Sequence, residues 1–255
     1  MIHPTAIIGQ DVKLGKGVSV GPYSIIRDKS RIGDRTRVES HVLIEGDTTI
    51  GKDCRIFHGA AIGCIPQDLK YHNEESSVKI GDRTIIREYV TVNLATEEKQ
   101  STVVGSDVLL MAYVHIAHNC VIKDQAILAN AVNLAGHVTI EEYAIIGGMT
   151  PIHQFVYIGA HCMVGGAARV AKDVLPYTRA AGSPLVISGL NVVGLQRRGF
   201  SKGIIATLKQ AYRIIYRSNI NVSQALERLK TDVKRIPEIE YMISFIERSE
   251  RGISK

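Results

Sequence analysis

Reading the chain from Ile2 in steps of six meets Ile2, Ile8, Leu14, Val20, Ile26, Ile32, Val38, Ile44, Ile50, Ile56 and Ile62, every one aliphatic. The phase returns at Ile80, Ile86 and Val92 and then holds from Val104 to Val170. Four places after each aliphatic residue stands a small or β-branched one, such as Ala6, Val12, Ser24, Cys54, Val108, Cys120 or Ala126. Glycine often follows the aliphatic directly, as at Gly9, Gly15, Gly33 and Gly51. A period of six fits neither the 3.6 of an α-helix nor the two of a half-buried strand. It is the signature of a parallel β-helix, with three hexads to a triangular coil. The aliphatic and small positions fill the interior, glycine relieves the corners, and coils stack at a spacing of ~4.8 Å. Residues 18 apart then lie above one another. The period alone leaves the handedness open.

Two polar segments interrupt the repeat without losing its phase, residues 66–79 ("PQDLKYHNEESSVK") and 93–102 ("NLATEEKQST"). Loops that leave a rigid solenoid are natural carriers of function. After Pro176 the repeat fades and helical patterns take over. Ser201 caps a helix that places Ile204, Ile205, Leu208, Tyr212 and Ile215 on one side. Ala225, Leu226, Leu229 and Val233 mark a second. Pro237 opens a third, which carries Ile239, Ile243 and Ile246 and stops at Gly252. The expected organisation is a β-helix domain over residues 1–190 and a small helical domain over residues 191–255.

Charge sharpens this division. The net +6 is uneven: residues 197–255 hold 13 Lys+Arg against 6 Asp+Glu, while residues 1–196 sum to −1. A basic cap calls for an acidic partner. It lacks the aromatic–basic interleaving of nucleic-acid modules, so no nucleic-acid partner is expected. No apolar run reaches membrane-spanning length and the N-terminus does not read as a secretory signal, so a cytoplasmic protein is expected. The four cysteines form no C-x-x-C pair. Cys54, Cys120 and Cys162 fall on the small inward position and read as core.

The solenoid register brings polar residues together. His118, Gly136 and Gln154 fall at one corner on successive coils, with His137 and His153 beside them, so a cluster of histidines is expected there. On another face, the residues just before the aliphatics read Leu109, Ile127, Ile145 and Met163, an outward apolar column. Such a column is a candidate subunit interface, and a triangular prism with one sticky face points to a cyclic trimer.

The segments "IHPTAI", "PQDLKY", "VHIAHNC", "LAGHV", "AIIGGMTPIHQF", "CMVGG" and "GLQRRGF", in this order, resemble the cytoplasmic UDP-N-acetylglucosamine acyltransferases. The resemblance spans nearly the whole chain. It implies a left-handed parallel β-helix with a C-terminal helical domain, a homotrimer with sites between subunits, and the first step of lipid A synthesis. In that step a 3-hydroxyacyl chain passes from acyl carrier protein to the sugar 3-hydroxyl. No cofactor or metal is implied beyond the phosphopantetheine that carries the acyl donor. His118 would be the general base and the Gly136 N–H the oxyanion donor. His115, His137 and Gln154 would lie at the sugar nucleotide, and Asp68 and Lys70 would engage substrate from the neighbouring subunit. Asn191, Arg197 and Arg198 would meet the nucleotide and phosphate end, and Gly166 would leave room for a longer acyl chain.

Three positions depart from the family pattern. Asn119 stands where an Asp often follows the catalytic histidine. Asn93, Leu94 and Ala95 replace a His-Arg-Gly run before Thr96. Val193 replaces an acidic residue that often contacts the uracil. These departures keep a UDP sugar with a 3-amino group open as the acceptor, giving an amide. Two other readings of the repeat are a zinc enzyme resembling γ-carbonic anhydrases, and a non-catalytic solenoid that binds carrier protein.

Overall fold

In the computed structural model, which describes residues 1–255, the six-residue period becomes a parallel β-helix with three sheets. The first sheet starts at Ile7–Ile8 and includes His115–Ile116, Asn133–Leu134 and Pro151–Ile152. The second starts at Lys13–Leu14 and includes Val121–Ile122, Thr139–Ile140 and Tyr157–Ile158. The third starts at Ser19–Val20 and includes Leu109–Leu110, Ile127–Leu128, Ile145–Ile146 and Met163–Val164. Register follows the expected spacing of 18, as in Leu110↔Leu128 and Ile116↔Leu134. The inward aliphatics are sealed: Ile26, Ile44, Ile56, Ile86, Leu110, Ile116 and Leu128 have no exposed surface. Each such side chain contributes roughly 1.5–3 kcal/mol by leaving water.

The glycines at the corners act differently from the expectation. The left-handed seat of the turns is taken mostly by other residues, among them Tyr113 (φ 63), Asn119 (φ 59), His137 (φ 61) and Phe155 (φ 62). Gly33 sits two places earlier, where coils touch: a Cβ there would come 2.6 Å from the Gly51 carbonyl carbon. Close stacking of the coils, and not a positive φ, therefore excludes a side chain at this position. Cys54, Cys120 and Cys162 are fully buried, as their inward phase requires. Burial pushes the Cys120 and Cys162 thiols up to about 12.

Both interrupting segments leave the solenoid at the corner between the first and second sheets. Their bounds are tighter than the sequence suggested. Ser77–Ile80 is already strand, pairing with Asp47–Ile50 and with Ser101–Val104, and Thr91–Asn93 is strand as well. The loops proper are residues 65–76 and 94–100. Strands of three or four residues replace the usual two on several sides of the loops, so pairing reaches further into the loop necks than the repeat predicts.

Above Val164 the third sheet ends in Thr178–Ala181 and an antiparallel return strand, Val186–Leu190. The cap then follows: α1 (Val192–Arg197), α2 (Lys202–Arg217), α3 (Val222–Asp232) and α4 (Pro237–Glu247). Ser201 caps α2 and Pro237 opens α4, as their sequence positions indicated. Helix α4, however, stops at Glu247 and not at Gly252. Beyond it the chain turns back, and Ile253 bridges to Asp173 on the solenoid. The six-residue α1 carried no periodic signal. The cap core draws on Leu175, Tyr177 and Leu190 as well as on α1–α4, and so reaches below residue 191. Arg248 anchors the cap by donating to the buried Glu141 at 2.9 Å.

Candidate active site

The corner between the first and second sheets holds, coil upon coil, the two loops, the turn His118–Asn119, the turn Gly136–His137 and the turn Gln154–Phe155. Here the repeat places His118 under Gly136, and the fit is tight. A Cβ at Gly136 would come 2.3 Å from His118 Cε1 and 2.5 Å from Nε2. The glycine is needed because the imidazole occupies the space a side chain would fill. The Gly136 N–H makes no hydrogen bond within the chain. At the corner between the second and third sheets, the matching N–H groups of Lys16, Lys52 and Ser106 donate to Asp34, Asp82 and Asp124 of the next coil.

The orientation of His118 is set by Asn119. The Asn119 Oδ1 accepts from the Thr96 backbone N–H at 3.0 Å. A backbone N–H only donates, so this contact identifies the oxygen end of the amide. His118 Nδ1 lies 3.0 Å from the same oxygen and must carry the hydrogen of that bond. The neutral imidazole therefore presents an unprotonated Nε2, the form a general base requires. Asp68 Oδ2 lies 3.8 Å from Nε2. The Asn119 amide nitrogen donates to the Glu97 carboxylate and to Gln100 Oε1 at 2.9 Å.

Around this pair stand two more histidines. His137 packs edge-on to His118, with ring centroids 5.2 Å apart, and stacks on Phe155 at 4.6 Å. Burial lowers the His137 pKa, against the raising effect of Glu97, whose Oε1 lies 3.7 Å from Nε2. His115 lies on the adjoining strand with Nδ1 2.7 Å from Thr91 Oγ1. Burial first, and then the neighbouring His118, lower its pKa. The expected corner cluster is corrected in part. His153 is exposed and faces the Gln154 carbonyl at 3.2 Å, and Gln154 is exposed too. Beside His118 and His137 stand Asp68 and Asn119, which the sequence had marked, and Thr96 and Glu97, which it had not. Lys70 is exposed, and its N–H donates to Asp68 Oδ1 at 2.9 Å.

The other predicted residues lie elsewhere on the same chain. Arg198 rests on the Tyr143 ring at 4.0 Å, at the corner between the second and third sheets. Asn191 and Arg197 line a pocket of ≈460 Å³ with Ile145 and Met163 of the apolar column. The Asn191 amide is engaged at both ends, donating to the His161 carbonyl at 3.0 Å and accepting from Gly194 N–H at 3.2 Å to cap α1. Gly166 turns the corner between the third and first sheets, where a Cβ would come 3.1 Å from the Gly148 carbonyl oxygen. Asn93, Leu94 and Ala95 are buried, and the Asn93 amide donates to the Ile65 carbonyl at 2.9 Å, fastening the first loop. No group of three His, Cys, Asp or Glu side chains is arranged to hold a metal within the chain. A separate groove of ≈690 Å³ on the lower coils, between Ile7, Ile25, Ile65 and Leu94, contains none of the predicted site residues.

Residues 173–254 match the family described as Udp N-acetylglucosamine O-acyltransferase, domain 2. The acyl-[acyl-carrier-protein]–UDP-N-acetylglucosamine O-acyltransferase of Thermodesulfovibrio yellowstonii is 48% identical over 255 residues, covering 100% of this chain and 99% of that protein. Its counterpart in Chlorobaculum tepidum is 54% identical over 245 residues, covering 96% and 93%. Among solved structures, LpxA from Acinetobacter baumannii superposes with a TM-score of 0.97 at 41% identity, covering 100% and 99% of the two chains. The Francisella novicida UDP-N-acetylglucosamine acyltransferase also reaches 0.97, at 38% identity and 100% and 94% coverage. With near-complete coverage at about half identity, and a fold that superposes from end to end, this chain belongs to the acyl-[acyl-carrier-protein]–UDP-N-acetylglucosamine O-acyltransferase family.

Proposed function

We propose that the chain transfers a 3-hydroxyacyl group from acyl carrier protein to the 3-hydroxyl of UDP-N-acetylglucosamine, the first step of lipid A biosynthesis, with His118 as general base. The observation that carries this reading is the Asn119 contact, which leaves the His118 Nε2 lone pair free beside Gly136. The sugar oxygen attacks the thioester carbonyl while Nε2 takes its proton. The Gly136 N–H donates to the tetrahedral oxyanion, a contribution of ~3 kcal/mol for a well-placed donor. Collapse breaks the C–S bond, and the phosphopantetheine thiolate receives the proton from the imidazolium. A thioester is already activated, so no covalent enzyme intermediate is required.

The working site is completed by a second copy of the chain. Asn191, Arg197, Arg198 and Gly166 do not share a corner with His118, so one chain cannot present all the predicted residues to one substrate. A cyclic trimer burying the paired column Leu109, Ile127, Ile145 and Met163 supports their meeting across subunits. The basic cap supplies the surface for the acidic carrier. On α2, Lys202, Lys209, Arg213 and Arg217 are exposed and have no acidic partner. No helix is long and apolar enough to cross a membrane.

A second acceptor is favoured by one observation. Around His118 and His137 stand two carboxylates, Asp68 and Glu97, while residues 93–95 bring no cation. That balance also suits a 3-amino sugar, which would yield an amide. Purified protein supplied with 3-hydroxyacyl carrier proteins of several lengths, and with UDP-N-acetylglucosamine or its 3-amino analogue, separates the readings by product mass. Ester formation is expected, amide alone would move the assignment to the second acceptor, and no product from folded protein would overturn the reading.

A further inference from the structure

Glu97 lies in the second loop, in a run without hydrophobic periodicity, and no motif singles it out. Its two carboxylate oxygens serve two different groups. One accepts from the Asn119 side-chain nitrogen, and the other lies 3.7 Å from His137 Nε2. The Asn119 amide is thereby held at both ends. Thr96 N–H and Thr96 Oγ1, each at 3.0 Å, and His118 Nδ1 approach its oxygen, while Glu97 and Gln100 take its nitrogen. The backbone N–H of Asn119 is tied as well, donating to Thr102 Oγ1 at 2.9 Å.

We propose that Glu97 is a positioning residue for His118, acting through the Asn119 amide: its carboxylate fixes the amide that fixes the imidazole, and supplies the negative charge that a neutral asparagine lacks. When Nε2 takes a proton, the imidazolium faces the Asn119 oxygen. An amide whose nitrogen donates to a carboxylate is polarised toward that oxygen, so it stabilises the new positive charge better than a free amide does. The inference rests on the reading of His118 as base. The charged and titratable groups that face this pair are Asp68 from the first loop, Glu97 from the second, and His115 and His137 from their own turn and strand positions.

The test compares Glu97→Gln and Glu97→Ala with wild type in the acyl-transfer assay, as pH profiles of kcat/KM with kcat and KM separated. Glutamine keeps an acceptor for the Asn119 nitrogen but removes the charge. The expected result is a fall in kcat of about threefold and an acidic limb moved to lower pH by a few tenths of a unit. Alanine frees the amide, and kcat is expected to fall about 10- to 50-fold with KM for the acyl carrier little changed. If both variants keep the wild-type kcat and acidic limb while His118→Ala is inactive, Glu97 has no such role and the base assignment stands. If KM rises and folding stability falls in both, with the acidic limb unmoved, Glu97 only braces its loop and the inference is overturned. Activity retained by His118→Ala would instead strike at the assignment of the base itself.

Discussion

The His118 imidazole fills the volume that a side chain at position 136 would need, with Cε1 only 2.3 Å from an ideal Gly136 Cβ. One residue pair thus links the repeat to the chemistry, since residues 18 apart on a six-residue period must stack. Gly136→Ala is expected to displace the ring and to crowd the free N–H. The kcat for acyl transfer should fall at least tenfold, while stability falls by no more than the roughly 1–3 kcal/mol typical of local overpacking. Thermal melting beside steady-state kinetics checks both halves, and a variant with wild-type kcat would remove the functional meaning of the contact.

The apolar column on the third sheet predicts an oligomer. Ile127 and Ile145 pair in register and are half-buried in the single chain. Ile127→Glu places a charge in the middle of the proposed interface. Light scattering should then show a shift from a trimer toward the 27.9 kDa chain, with loss of activity, since the proposed site takes residues from two copies. A variant that stays trimeric, or a wild type that is itself monomeric and active, would contradict the arrangement.

His161 predicts an acid sensitivity unrelated to catalysis. Its ring is stacked between Tyr143 and Tyr177, meets Phe200 edge-on, and has a buried Nδ1 without a partner. Burial, reinforced by Arg198 and opposed by Glu142, brings it down to about 4. An unfolded imidazole titrates near ~6.5, so between these values the unfolded chain binds the extra proton. Stability then rises with pH through this window and is lost on acidification, at no more than about 1.4 kcal/mol per pH unit for one group. His161→Phe keeps the stack and should flatten the stability profile between about pH 6.5 and 4 in denaturant melts. An unchanged slope would mean that other groups govern acid unfolding.

The unpaired basic face of α2 predicts salt-sensitive recognition of the acyl donor. Lys209→Glu with Arg213→Glu should raise KM for an acyl carrier protein about tenfold at low salt, and less at high salt, where screening weakens the attraction. The same variant should use a free acyl-pantetheine thioester as wild type does. Equal loss with both donors would show that the change disturbed the site and not the docking surface.

The sequence and the structure agree most closely where a residue's role follows from its phase. The inward aliphatics, the buried cysteines, the outward apolar column and the His118–Gly136 stack are all consequences of one period. The loops keep no period, so their necks were drawn too wide, and the partners they bring to His118 were not foreseen. Thr96, Glu97 and Gln100 reach Asn119 because the second loop folds back over the turn above it, a long-range event without local signature. The polar run "TEEKQ" at the catalytic corner was the signal available. Helix α1 was missed because six residues are too few to show a helical repeat, and the end of α4 was misjudged because a tertiary bridge to Asp173 draws the chain away before Gly252. His153 and Gln154 fall in the expected turn with exposed side chains, and phase alone does not determine exposure at a corner.

The central claim is that His118 takes the proton of the acceptor hydroxyl. It is tested most directly by the kcat of purified, trimeric His118→Ala for acyl transfer from 3-hydroxyacyl carrier protein to UDP-N-acetylglucosamine. A general base of this kind is worth about 10²- to 10⁴-fold. The account predicts a loss of that size with KM little changed. A folded variant that retains kcat within about threefold of wild type would contradict it.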